Sequence, residues 1–249
     1  MATRLTALPS LEPDPLEPRP ESVARYVEAL QGLSKANVEV ARRASWNQIR
    51  LAGDRARRRP AESRETLERI FRLGTPPSPA LDGPTRGIMI APTLPRPLDL
   101  ALRAASSAWL PWTGKRFDAE AEAGDDLLLG SARWPARALW PSYRPEPVGV
   151  GMAAFRFRTY VGPGAVDPEV ETLKLDYDSA ANPALLIRDV LSELVQVVRG
   201  AYLGKALLRR GSEWRTIGYF GLQPALTVAG GQPVAIAGEA ATEAAAAAA

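Results

Sequence analysis

Apolar positions along the chain follow two periods, and the change from one to the other divides it. Val23, Tyr26, Val27, Leu30, Leu33, Val38 and Val40 recur every three or four residues, the spacing of one helix face. The pattern slips at Gly32 and continues through Ala41, Ala44, Trp46 and Ile49 to Leu51, which fits one long helix or two in succession. Pro60 stops the basic run Arg55, Arg57, Arg58 and Arg59. A further helix is expected over Ala61–Leu73, with Leu67, Ile70, Phe71 and Leu73 inward and Gly74 ending it.

Beyond the Pro-rich segment Thr75–Ala80 the period becomes two. Phe155 to Tyr160 alternates strictly, with Phe155 and Phe157 on one face and Arg156 and Arg158 on the other. Leu173, Leu175 and Tyr177 likewise oppose Lys174 and Asp176. Leu81–Ile90 and Leu191–Val198 also read as strands, Trp112–Phe117 is strand-like, and Ala119–Gly130 is acidic before becoming apolar. Leu185–Val190 suits a single helical turn, and the stretch around Trp134 and Trp140 suits an edge strand or loop. Tyr202–Leu208 and Trp214–Leu222, joined by a polar turn containing Gly211, form a hairpin. Leu98–Leu110 has helical spacing and is expected to form a short lid or plug.

The elements in order predict an α+β chain: a helical arm over 21–74, a linker over 75–80 and a mostly antiparallel β-barrel over 81–223. A barrel removes exposed sheet edges and can enclose a small ligand. The Pro-rich residues 1–20 suit a disordered leader, and the low-complexity residues 224–249 a disordered tail.

Composition narrows the chemistry. The 249 residues, 46% of them hydrophobic, can bury a sizeable core, and 31 basic against 28 acidic side chains leave a mild charge of +3. There is no Cys and no His, which excludes disulfides, thiolate nucleophiles, Ser-His-Asp triads and the usual zinc ligand sets. No metal and no cofactor is expected. The start of the sequence lacks an apolar export segment, and no apolar run reaches the ~18 residues that span a bilayer. A cytoplasmic protein is the expectation.

Two local patterns resemble a known family. Gly83-Pro84-Thr85-Arg86-Gly87 sits where the GXWXG family of bacterial proteins carries Gly-x-Trp-x-Gly, with Thr85 in place of the Trp. Trp112-Thr113-Gly114-Lys115-Arg116-Phe117 is similar to that family's Trp-x-Gly-Lys-x-Phe. The Gly-flanked first strand and aromatic last strand also resemble the lipocalin and fatty-acid-binding group. That resemblance implies a lipocalin-like barrel carrying a hydrophobic, lipid-like small molecule.

For such a ligand the candidate lining is Trp112, Phe155, Phe157, Tyr177, Tyr202, Trp214 and Phe220, with Gly204, Ala206 and Gly218 leaving space. Lys115 and Lys205 are the candidate polar anchors. A rival reading is a cofactor-free isomerase or cyclase in which Asp176 and Tyr177, with Lys205, act on an apolar substrate. A second rival is an interaction module using the basic arm. The interspersed Asp54, Glu62 and Glu65 argue against nucleic acid there, and peripheral membrane contact or an oligomer through the arm stays open.

Overall fold

A computed structural model describes residues 20–56, 58–78, 80–92 and 111–225. The expected leader up to residue 19, Arg57, the helix expected over Leu98–Leu110 and the tail beyond residue 225 lie outside the described residues.

The arm is three helices, α1 (Pro20–Ala36), α2 (Val38–Ala56) and α3 (Pro60–Arg72). The break between α1 and α2 falls at Asn37 and not at Gly32. The Asn37 side chain accepts the backbone N–H of Val40 at 3.2 Å, capping α2 at its first turn. Pro60 opens α3, where its fixed φ suits a helix and its missing N–H costs nothing.

The β-part has nine strands: β1 (Gly83–Pro92), β2 (Trp112–Asp118), β3 (Ala123–Leu129), β4 (Glu146–Val148), β5 (Gly151–Pro163), β6 (Glu171–Asp176), β7 (Val190–Val198), β8 (Ala201–Arg210) and β9 (Glu213–Pro224). Their antiparallel order is β3-β2-β1-β9-β8-β7-β6-β5-β4, and β3 also pairs with β5. That pairing closes eight strands into a barrel and leaves β4 as a short flap beside β5. The expected final hairpin is β8–β9, with Arg210 opposite Glu213 and Gly211 at φ 63° in the two-residue turn. The region around Trp134 differs from the sequence reading. It holds a fourth helix, α4 (Arg133–Leu139), whose Ala136 packs with Ala132 and Trp140 into the barrel core.

Two cores share the barrel wall. Inside, Phe117, Leu128, Phe157, Leu175, Tyr177, Leu194, Tyr202, Phe220 and Leu222 pack together. Outside, Ile90, Val195, Val197, Leu203 and Tyr219 meet Val27, Ile49, Leu67, Ile70 and Phe71 of the helices. The arm therefore docks on its own barrel. A fully buried side chain such as Phe71 contributes about 1.5–3 kcal/mol to that docking.

One bulge redirects a predicted inward residue. Between the pairs Gly124–Phe157 and Asp126–Ala154, β5 carries one residue more than β3, and Phe155 takes φ 54°. Its ring leaves the strict alternation and lies stacked under Tyr143, centroids 5.5 Å apart, with Trp140 edge-on at 5.3 Å. The Tyr143 hydroxyl accepts the Phe155 N–H, so the bulged backbone group keeps a partner.

Candidate binding site

The polar centre of the barrel interior is built from three strands, β2 and its neighbour β3 with β6 beyond the intervening β5. Lys115 stands on β2, Asp126 on β3, and Tyr177 directly after β6. The Lys115 ammonium donates to Asp126 Oδ1 at 2.5 Å and to the Tyr177 hydroxyl. The Tyr177 hydroxyl donates in turn to Asp126, 3.2 Å from each carboxylate oxygen, and Trp112 Nε1 donates to Asp126 Oδ1 at 3.2 Å. The three groups thus close a ring of hydrogen bonds, which a buried ion pair needs to offset its desolvation.

Aromatic rings enclose the cation. Lys115 Nζ lies 5.6 Å from the Trp112 ring, 5.1 Å from Phe157, 5.2 Å from Tyr177 and 5.2 Å from Phe220. Their electron-rich faces favour positive charge at that point. Two glycines admit these rings. A Cβ at Gly87 would overlap the Trp112 ring, and one at Gly204 would overlap Phe220. The inward space beside Gly204 is therefore taken by Phe220.

The local environment shifts two protonation equilibria. Burial lowers the Lys115 pKa from the ordinary lysine value, and the Asp126 carboxylate opposes that shift. Burial also holds the Tyr177 phenol well above its usual range, reinforced by the negative charge of Asp126. Tyr177 stays a neutral donor. Ser192, buried on β7, makes a side-chain hydrogen bond to Tyr177. The site is not sealed: the Asp126 side chain keeps 14% of its surface, and Trp112 is half-buried.

Of the residues picked from sequence, Trp112, Lys115, Phe157, Tyr177 and Phe220 converge here. Tyr202 lies in the same core, and Phe155 belongs to it through Trp140 and Tyr143. Three lie elsewhere. Lys205 projects from the outer face of β8, where it meets Asp167 at 2.5 Å, Glu68 at 2.8 Å and the face of Phe71. Trp214 stands near the β8–β9 turn beneath the Arg209 guanidinium, 5.8 Å from its ring centre. Asp176 pairs on the outer surface with Arg158 at 2.9 Å.

Asp126 was missed by the sequence reading, because an acid in an acidic stretch carries no signature of burial. A signal did exist in lysine usage. The chain has four lysines among its 31 basic residues, and Lys115, Lys174 and Lys205 are all buried. Lys174 bonds Glu193, whose strand neighbour is Lys205, so two of the three form a row on the outer face beneath α3 and the 164–170 loop. Lys115 alone of the three faces inward.

No protein-family model and no curated protein matches the chain. Nothing therefore supports the likeness of residues 83–87 and 112–117 to the GXWXG family, and the eight-stranded barrel is what stands. A solved structure, a protein from Thermomonospora curvata, is similar at 16% identity and a TM-score of 0.39, over 70% of this chain and 97% of that one.

Two surface clefts are further candidates. One of about 370 Å³ is lined by Asp82, Arg116, Asp118, Asp125 and Arg156, and one of about 580 Å³ lies between residues 139–144 and 180–188. No group of acidic residues suited to a metal ion occurs among the described residues. No described helix is long and apolar enough to cross a membrane.

Proposed function

We propose that this chain is a binding protein for a small apolar molecule carrying one polar group, held in the barrel with that group at Lys115, Asp126 and Tyr177. The observation that supports it is one ion pair, joined by the Tyr177 and Ser192 hydroxyls, facing a largely apolar and aromatic interior among the described residues. Ligand sites combine an apolar lining with a few converging polar groups in this way. The ligand's polar group meets the Lys115 ammonium among the rings of Trp112, Phe157, Tyr177 and Phe220.

The test is native mass spectrometry of gently purified protein, followed by organic extraction. A stoichiometric apolar molecule is expected. A clean unliganded mass, unchanged after exposure to a panel of fatty acids and terpenoids, overturns the reading.

A further inference from the structure

We infer that Lys115 captures its ligand covalently, condensing with the carbonyl of an apolar aldehyde or ketone to form a protonated imine inside the barrel. The inference rests on the binding role just proposed and names the chemical class of the ligand.

Three features of the site carry it. The first is the amine itself: an interior that needs only a charge to orient a carboxylate ligand is better served by the guanidinium fork. Of the chain's three buried lysines, Lys115 alone presents that amine to the barrel interior. The second is the surroundings of Nζ. Four ring faces within 5.6 Å and one carboxylate stabilise a cation at that point, and they serve a planar iminium as well as an ammonium. The third is the pair of hydroxyl and carboxyl partners. Tyr177 and Asp126 both lie within hydrogen-bonding reach of Nζ, where the protons of the condensation must move.

The step balances without a further reactant. The ammonium first passes a proton to Asp126, and burial, which lowers the Lys115 pKa, favours the neutral amine this requires. The nitrogen lone pair forms a bond to the carbonyl carbon while the carbonyl oxygen takes the proton of the Tyr177 hydroxyl. Asp126 returns its proton to the tyrosine oxygen. The second N–H proton leaves for the carbinolamine oxygen through the same pair, the C–O bond breaks, and water departs. One positive charge enters as ammonium and remains as iminium, facing the Asp126 carboxylate. Water leaves along the accessible edge formed by Asp126 and Trp112. The capture is reversible, so the protein releases the carbonyl compound unchanged.

The experiment uses the full chain with decanal, with and without cyanoborohydride, and with decanol as the matching compound that cannot condense. Native mass spectrometry reads binding, and peptide mapping locates any reduced adduct. The expected result is one alkyl group on Lys115, with the exposed Lys35 modified far less, and loss of that adduct in Lys115→Arg, while the wild-type chain holds decanol without any adduct. The wild-type map alone decides the matter if the variant does not fold. Decanal and decanol both held, with no adduct at Lys115 or no preference over Lys35, overturns the covalent step and leaves the binding role standing. Neither compound held, and no adduct, overturns both.

Discussion

Asp176 and Tyr177 are neighbours in the chain and lie on opposite sides of the barrel wall. The Asp176 carboxylate takes the Arg158 guanidinium outside at 2.9 Å, while the Tyr177 hydroxyl reaches Asp126 inside at 3.2 Å. Successive residues of an extended chain face opposite ways, so the pair expected to share a substrate cannot do so. The carboxylate that works beside Tyr177 comes from β3, a strand about 50 residues earlier.

This difference in position predicts a difference in stability. Asp126→Ala strands a buried ammonium and costs about 3–5 kcal/mol. Asp176→Ala removes an exposed pair and costs ~1 kcal/mol or less. Urea unfolding of the two variants checks both values, and equal losses would contradict the placement.

The ion pair is expected to stabilise less than its rupture costs. Lys115→Met with Asp126→Leu leaves neither charge unpaired and fills the ring box with apolar atoms. The double variant should recover most of the stability lost by either single change. A double-mutant cycle measures this, and additive losses would show that the two side chains do not interact.

Gly204 holds the Phe220 ring in the interior. Gly204→Ala forces the ring from its place and should lower stability by ~1–3 kcal/mol, because close-packed interiors tolerate overpacking poorly. Thermal unfolding tests the loss. Adding Phe220→Leu should restore part of it by removing the overlap.

Acid should loosen the arm before neutral pH affects it. Burial alone would raise the Asp167 carboxyl, but the Lys205 ammonium hydrogen-bonds it and the charges of Lys205 and Arg72 attract it, so its pKa falls below the ordinary range. A depressed carboxylate stabilises the fold above its unfolded pKa of about 4, and the contribution disappears as pH falls through the lower folded value. Asp167→Asn should reduce stability near neutrality and flatten the loss below about pH 4. Unfolding free energies of both proteins between those conditions supply the check.

Alkali should act through the tyrosines. Tyr177 and Tyr219 have phenols raised by burial and by neighbouring carboxylates, Asp126 for the first and Glu68 for the second. The folded state keeps their protons after the unfolded chain begins to lose its own near pH ~10, so stability declines above that pH. Ultraviolet titration should show these two ionising only as the fold opens, and Tyr177→Phe should remove one of them.

Most strands, the helical arm and the β8–β9 hairpin were legible because each depends on local period, on Pro60 and on Gly211, whereas β3 and β4 carried no such period. Those signals come from backbone geometry and from which face must leave water. The break at Asn37 was locally encoded too, in a capping side chain that the apolar pattern does not register. Helix α4 was hidden, since Pro135 and two tryptophans over a few residues resemble an irregular edge.

Period alone identifies two faces of a strand without saying which is enclosed, and the helices here cover the outer face of β7 and β8 as well. Lys115 and Lys205 are alike in sequence: each sits in a strand among small and apolar residues. Only closure of β3 onto β5 decided that Lys115 points into the barrel, and only the docking of α3 decided that Lys205 is buried outside it. The same closure brought Asp126 beside Tyr177. Sequence thus determined the elements and their amphipathic faces, through interactions a few residues apart. The tertiary structure decided which charges meet, because a buried cation takes its partner from whatever wall the fold brings near, at any distance along the chain.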